Sequence, residues 1–133
     1  MEFHAIFKRI MSALMGHDND TIRQRLAATW TNELLSHAVR RGASRIRIEP
    51  GDDRVLVQFH IGQRLVNGPG LDRTLVPYVA KHLKRLVSLD DANVVRRQIG
   101  SVVITIARKR MRIKVTTQPL SHAEHLAIYF DEP

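Results

Sequence analysis

Arg45-Ile46-Arg47-Ile48-Glu49-Pro50-Gly51-Asp52-Asp53-Arg54-Val55-Leu56-Val57-Gln58-Phe59-His60-Ile61 is the stretch that decides the fold. Its first five residues alternate charge with isoleucine, Pro50-Gly51-Asp52-Asp53 has turn chemistry, and Val55, Val57, Phe59 and Ile61 alternate again. A period of two sends successive side chains to opposite faces of a strand. The stretch therefore predicts a hairpin with one apolar face and one face that carries Arg45 and Arg47. Upstream the period is 3.6. Asp20 or Thr21 caps a helix running to about Arg41, with Ile22, Leu26, Trp30, Leu34 and Ala38 on its buried side. Gly42 ends it, and Arg40 and Arg41 sit at its negative end.

Downstream, Gly62-Gln63 turns the chain into a short strand, Arg64-Leu65-Val66, followed by the loop Asn67-Gly68-Pro69-Gly70. A further helix is predicted from Asp72 to Leu89, with Pro77 near its first turn. Leu75, Val79, Leu83, Leu86 and Val87 form its apolar side, and Lys81, Lys84 and Arg85 are read onto the other. Strands follow at Val94 to Gln98, Val102 to Ala107, Met111 to Thr117 and Leu126 to Phe130, with turns at Arg108-Lys109-Arg110 and Gln118-Pro119-Leu120-Ser121. The class is α+β: a mainly antiparallel sheet with helices on one face. Before this domain (21–133) stands an amphipathic segment (1–20) whose Phe3, Ile6, Phe7, Ile10, Met11, Leu14 and Met15 share one helical face. Such a stripe needs cover from its own domain, a partner or a membrane surface, and its few cations favour the membrane least.

The chain has 133 residues, 44% apolar and 26% charged, enough for one core and too apolar for a disordered chain. No apolar run approaches the roughly 18 residues of a membrane span, and Met1-Glu2-Phe3-His4 does not start a signal peptide. The absence of cysteine removes disulfides and thiolate chemistry. These features predict a cytoplasmic protein. The net charge is +8, and sixteen of the 21 cations are arginines, which attracts polyanions: nucleic acid, anionic lipid, phosphates or an acidic protein.

Chemistry-bearing patterns are sparse. The seven glycines include no Gly-x-x-x-x-Gly-Lys-[Ser/Thr] run, so a P-loop is excluded from this chain. His122 and His125 are three apart, but the local pattern is turn and strand, which would point them to opposite faces, so no metal site is expected. Ser36-His37 and Ser121-His122 lack the rest of a triad, and Asp52-Asp53 and Asp90-Asp91 read as turn and cap residues. Basic clusters at Arg96-Arg97 and Arg108-Lys109-Arg110 lack the aromatic platform of single-strand binders, with aromatics at 5%. The sequence predicts no catalytic constellation and no cofactor.

Residues 34–50, Leu-Leu-Ser-His-Ala-Val-Arg-Arg-Gly-Ala-Ser-Arg-Ile-Arg-Ile-Glu-Pro, resemble a signature of the ATPases of type II secretion and type IV pilus assembly, in which a helix ends in Gly-Ala-Ser-Asp-Ile-His-Ile-Glu-Pro. Val55 to Leu65 is similar to the family's Val-x-x-Arg-x-Arg-Ile-Asp-Gly-x-Leu hairpin. Leu83 to Ala92 is similar to its helix leading into Leu-Asp-Ile-Ala-Glu. Arg97-Gln98-Ile99-Gly100-Ser101 stands where the family has Pro-Gln-Asp-Gly-Arg, Val115-Thr116-Thr117-Gln118-Pro119 matches Val-Ser-Thr-Leu-Pro, and Ala123-Glu124-His125 matches Gly-Glu-Lys. The resemblance covers about residues 30–130 and implies the PAS-like N-terminal domain that precedes the family's RecA-like motor, packs on a neighbouring subunit and moves as nucleotide turns over.

Arg45 and Arg47 replace the family's Asp and His, and His60, Ser101, Lys114 and Tyr129 replace its arginines, some of which reach ATP held by the adjoining motor domain. Neither His nor Ser reproduces arginine's planar fork. The resemblance therefore implies a domain that keeps the fold and has lost the nucleotide-contacting set: a non-catalytic assembly module for a secretion or pilus machine. Arg45, Arg47 and Arg112, with Lys81, Lys84 and Arg85, are expected to meet an acidic partner such as the ATPase or its membrane platform. A homo-oligomer, a piece of an ATP-hydrolysing motor and a basic nucleotide- or nucleic-acid-binding domain are the alternatives.

Overall fold

The computed structural model describes residues 20–120 and 123–133. The Phe3–Met15 segment and His122 lie outside the described residues. Helix α1 is Asp20–Arg40, and it is followed by strands β1 (Ala43–Pro50), β2 (Val55–Ile61) and β3 (Arg64–Asn67). A 3-10 turn, Arg73–Leu75, leads into helix α2 (Val76–Leu86), and strands β4 (Gln98–Ile106), β5 (Lys109–Pro119) and β6 (Glu124–Asp131) complete the chain. The six strands form one sheet in the order β3-β2-β1-β6-β5-β4. Every neighbouring pair is antiparallel.

Two meanders, one on each side of α2, are thus joined by the β1–β6 pairing, in which Ile46 faces Ile128 and Ile48 faces Leu126. These four side chains are almost wholly buried, with Phe59, Ile113 and Val115 beside them on the same face. Both helices cover that face. Leu26, Trp30, Leu34 and Ala38 recur every four residues along α1 and are buried, and Val76, Val79, Ala80 and Leu83 are buried at the i, i+3, i+4, i+7 spacing along α2. Trp30 donates from Nε1 to the carbonyl of Gly70 at 3.3 Å, satisfying the one polar atom of the largest core side chain. The α+β class and the antiparallel sheet with helices on one face are as the sequence predicts.

Several boundaries differ. The second helix is shorter than Asp72–Leu89: Asp72 caps the 3-10 turn through Thr74, and the chain leaves the helix after Leu86, with Ser88 at φ 59°. Val94 to Gln98 is not a strand. Gln98 instead begins β4, which continues through Gly100 and Ser101 to Ile106. The β4–β5 turn is Ala107-Arg108, both at positive φ (49° and 66°), rather than Arg108-Lys109-Arg110. Two central residues at positive φ give the twist a two-residue hairpin requires, and this leaves Lys109 and Arg110 to start β5.

Candidate functional site

The face of the sheet turned away from the helices carries the residues of interest. Cross-strand partners share a face, so the register can be followed from strand to strand. His60 on β2 pairs with Arg45 on β1, Arg45 with Tyr129 on β6, Tyr129 with Lys114 on β5, and Lys114 with Ser101 on β4. Leu65 on β3 extends the line beyond His60. One straight row crosses all six strands, about 24 Å long at the usual strand spacing. It contains Arg45 and all four positions where the resemblance places family arginines.

Side-chain contacts link the row from His60 to Lys114. Arg45 Nη2 lies 2.9 Å from His60 Nε2. A guanidinium can only donate, so Nε2 accepts and His60 is the neutral tautomer protonated on Nδ1. Burial first, then the charges of Arg45 and Arg47, hold the His60 pKa below its ordinary value, in agreement with that geometry. On its other side the Arg45 guanidinium carbon is 5.7 Å from the Tyr129 ring centroid, and Lys114 Nζ is 4.6 Å from the same ring. Two cations therefore share one phenol ring, which offsets part of their repulsion. Arg45 Nε is shielded from solvent without a hydrogen-bond partner among the described residues. That side chain is held by packing and by its terminal nitrogens.

A second row, Gln58, Arg47, Ala127, Thr116 and Ile99, runs beside the first. Arg47 is half-exposed and paired with Glu49 on its own strand. Arg112 is exposed on β5, two residues from Lys114 and opposite Asp131. Arg45, Arg47, Lys114 and Arg112 thus form one cationic surface, tempered by Glu49 and Asp131, over a rigid central part of the sheet. Guanidinium and ammonium donors of this kind are chemically suited to carboxylate or phosphate.

The six residues expected to form one partner face are divided by the structure. Arg45, Arg47 and Arg112 share the outer sheet face, whereas Lys81 and Arg85 are exposed on α2, on the opposite side, and Arg85 is paired with Asp91. Lys84 is the correction. It is fully buried and donates to Glu124 Oε1 at 2.8 Å and to the carbonyl of Asn93 at 2.7 Å, so it forms an internal ion pair and offers no surface to a partner. The apolar stripe Val76, Ala80, Leu83, Val87 passes Lys84, and Glu124 shares the inward period of Leu126 and Ile128. That periodicity is the signal that finds the pair.

The fold and the motif order converge on a class: the proteins of type II and type IV secretion systems. The profile of the family described as type II/IV secretion system protein matches residues 20–131. The chain belongs to this family. Among its relatives, the type II secretion system protein E of Xanthomonas campestris is 29% identical over 97 residues, spanning 73% of this chain and 17% of that protein. The type II secretion system protein HxcR of Pseudomonas aeruginosa is 28% identical, and the type II secretion system ATPase E of Vibrio cholerae 27%, again over 73% of this chain and over 21% and 19% of theirs. The chain thus spans about a fifth of the length of the curated relatives it matches. The X-ray structure of the ATPase DotB of Legionella pneumophila has the same fold, with a TM-score of 0.53 at 15% identity over 79% of this chain and 28% of that one.

Proposed function

We propose that this PAS-like domain is a non-catalytic assembly module that binds an acidic surface of another protein of a type II secretion or type IV pilus machine. The observation that supports it is the unbroken row from His60 to Ser101, with Arg47 and Arg112 beside it. This row and its neighbours present cations from two strands, β1 and β5, on a face that neither described helix covers. The row is built of cations, a phenol, a hydroxyl and an imidazole whose Nε2 is engaged by Arg45, a set suited to holding an anionic surface. Family membership supports a protein partner of the secretion apparatus, whether the ATPase or its membrane platform.

The test is tagged capture from nuclease-treated host extract at physiological salt, comparing the native protein with Arg45→Glu/Arg47→Glu and Arg47→Glu/Arg112→Glu. Both variants are expected to lose at least about tenfold in recovery of a secretion or pilus component, in keeping with rim-charge effects on steering and specificity. Undiminished recovery by both folded variants would remove the row from the interface.

A second reading draws on the coincidence of the four substituted family positions in one line: the same surface contacts nucleotide held by an adjoining motor domain. Tight, salt-resistant binding of a labelled ATP analogue by the native chain, lost in the same variants, would favour it over the protein partner.

A further inference from the structure

β4 forms one edge of the sheet, and among the described strands only β5 pairs with it. Ile106 and Lys109 close the two-residue turn Ala107-Arg108, so they are a hydrogen-bonded pair. Alternation along an antiparallel ladder then turns the backbone N–H and C=O of Gln98, Gly100, Val102 and Ile104 toward β5. The Gln98 N–H, which reaches Thr117 Oγ1 on β5 at 3.1 Å, agrees with this phase. The N–H and C=O of Ile99, Ser101, Val103 and Thr105 therefore point away from the sheet, and no described residue bonds them. Sheets protect such an edge with lysine, proline, a bulge or brevity. The opposite edge, β3, has four residues and starts with Arg64. β4 has nine, Gln-Ile-Gly-Ser-Val-Val-Ile-Thr-Ile, with no charge, no proline and no register shift against β5. Ile99 is 58% exposed, and Val102, Val103 and Ile104 are half-buried. An edge of this length and composition is a template for strand addition.

The neighbouring strand selects what is added. Ser101, Val103 and Thr105 face the outer side of the sheet, in line with Lys114, Arg112 and Arg110 on β5, which are all exposed. Lys114 and Arg112 also face Tyr129 and Asp131 on β6, whereas β6 has ended where Arg110 stands. A strand laid on β4 would lie about 10 Å from β5, two strand spacings away. Only the short side chains of Ser101, Val103 and Thr105 stand between, so these cations can lean across to carboxylates on the new strand, a favourable pairing on a sheet face. On the inner side, aliphatic residues of the same strand would cover half-buried Val102 and Ile104. A second copy of β4 would bring no carboxylate and would set two groups of cations against each other. The charge on β5 thus favours an acidic segment over a second copy of this chain.

We infer that β4 binds an extended segment of the acidic partner by antiparallel strand addition, the segment alternating carboxylates on the outer face with aliphatic residues on the inner. The inference rests on the reading of the outer face as an acidic partner's surface and adds the mode of binding. The probe is a labelled nonapeptide of alternating glutamate and valine, titrated onto the full chain by fluorescence anisotropy beside its lysine–valine counterpart. The glutamate peptide is expected to bind at least about tenfold more tightly, and Arg110→Glu/Lys114→Glu to remove that preference. N-methylation of the glutamate amides, which face β4 in antiparallel pairing, is expected to weaken binding at least about tenfold, and of the valine amides about twofold at most. Val103→Pro removes one outward N–H, spares the β5 ladder and should act like the first set. In NMR exchange, the amides of Ser101, Val103 and Thr105 should be fast in the free chain and protected by the peptide, with Val102 and Ile104 protected throughout. Slow exchange at the first three in the free chain, no preference for glutamate, an equal or greater loss from the valine set, or a dimer of this chain abolished by Val103→Pro would overturn the inference. Host capture lost in Arg45→Glu/Arg47→Glu without peptide binding would also overturn it and keep the face reading. Peptide binding with capture undiminished in the charge variants would keep strand addition and remove the face reading.

Discussion

Lys84→Ala should be among the most damaging single substitutions outside the apolar core. Lys84 Nζ makes two hydrogen bonds, to Glu124 Oε1 and to the Asn93 carbonyl, with the lysine fully buried and Glu124 nearly so. Truncation leaves a carboxylate with neither oxygen partnered by a described residue, and the Asn93 carbonyl keeps only the longer bond from Gln98 Nε2. Breaking one side of a buried pair costs about 3–5 kcal/mol. Domains of this kind are stable by only about 5–15 kcal/mol. At roughly 3 °C per kcal/mol for a chain of this size, the thermal midpoint should fall by roughly 10–15 °C. The assay is equilibrium guanidinium unfolding followed by circular dichroism, with thermal melts alongside. Arg85→Ala, one residue away on the same helix, removes a solvated pair with Asp91 and should stay close to the native midpoint. Lys84→Met/Glu124→Leu should regain most of the loss, because two apolar groups of similar volume leave no charge stranded. A loss below about 1 kcal/mol for Lys84→Ala would refute the reasoning.

Further expectations follow from the turns, a glycine contact and the row. A Cβ at Gly100 would lie 2.8 Å from the carbonyl oxygen of Val87 and 2.9 Å from Leu89 Cδ2, so Gly100→Ala should destabilise by about 1–3 kcal/mol in the same unfolding assay. Arg108→Gly relieves a positive φ at the β4–β5 turn and should stabilise by roughly 0.5–1 kcal/mol, the strain relieved being partly offset by glycine's extra freedom when unfolded. His60, held neutral by burial and by Arg45 and Arg47, should titrate below its ordinary 6.5 in an NMR pH series, moving back toward it in Arg45→Ala. Because the folded value is depressed, the unfolded chain takes up the proton first. This group's contribution to stability is therefore complete above 6.5 and is lost as pH falls through the folded value.

Local periodicity carried much of the fold. The 3.6-residue stripe of α1 and the alternation in β1 and β2 predict those elements to within about two residues, because each buries one face against the same core, whereas β3, with no buried residue, is announced only by the Gly62-Gln63 turn before it. β4 was less legible: residues 99–101 fall between two predicted strands, yet Gly100 continues the strand where the Val87 carbonyl leaves no room for a side chain. Lys84 was placed with Lys81 and Arg85 by charge, although the helical stripe put it at the buried border opposite Glu124. Of the candidate site, the alternation set Arg45 and Arg47 on one face, and the family resemblance singled out His60, Ser101, Lys114 and Tyr129. Their alignment was not readable from the chain, since it depends on β6 returning to pair with β1.

The most direct test of the central claim is site-specific photocrosslinking in the native host. A benzophenone amino acid would replace Thr116, in the middle of the outer sheet face, or Glu33, exposed on α1. The account predicts that position 116 crosslinks to an acidic segment of a secretion or pilus component and that position 33 does not. Crosslinks from position 33 with none from position 116, or adducts at position 116 to nucleotide or nucleic acid alone, would contradict it.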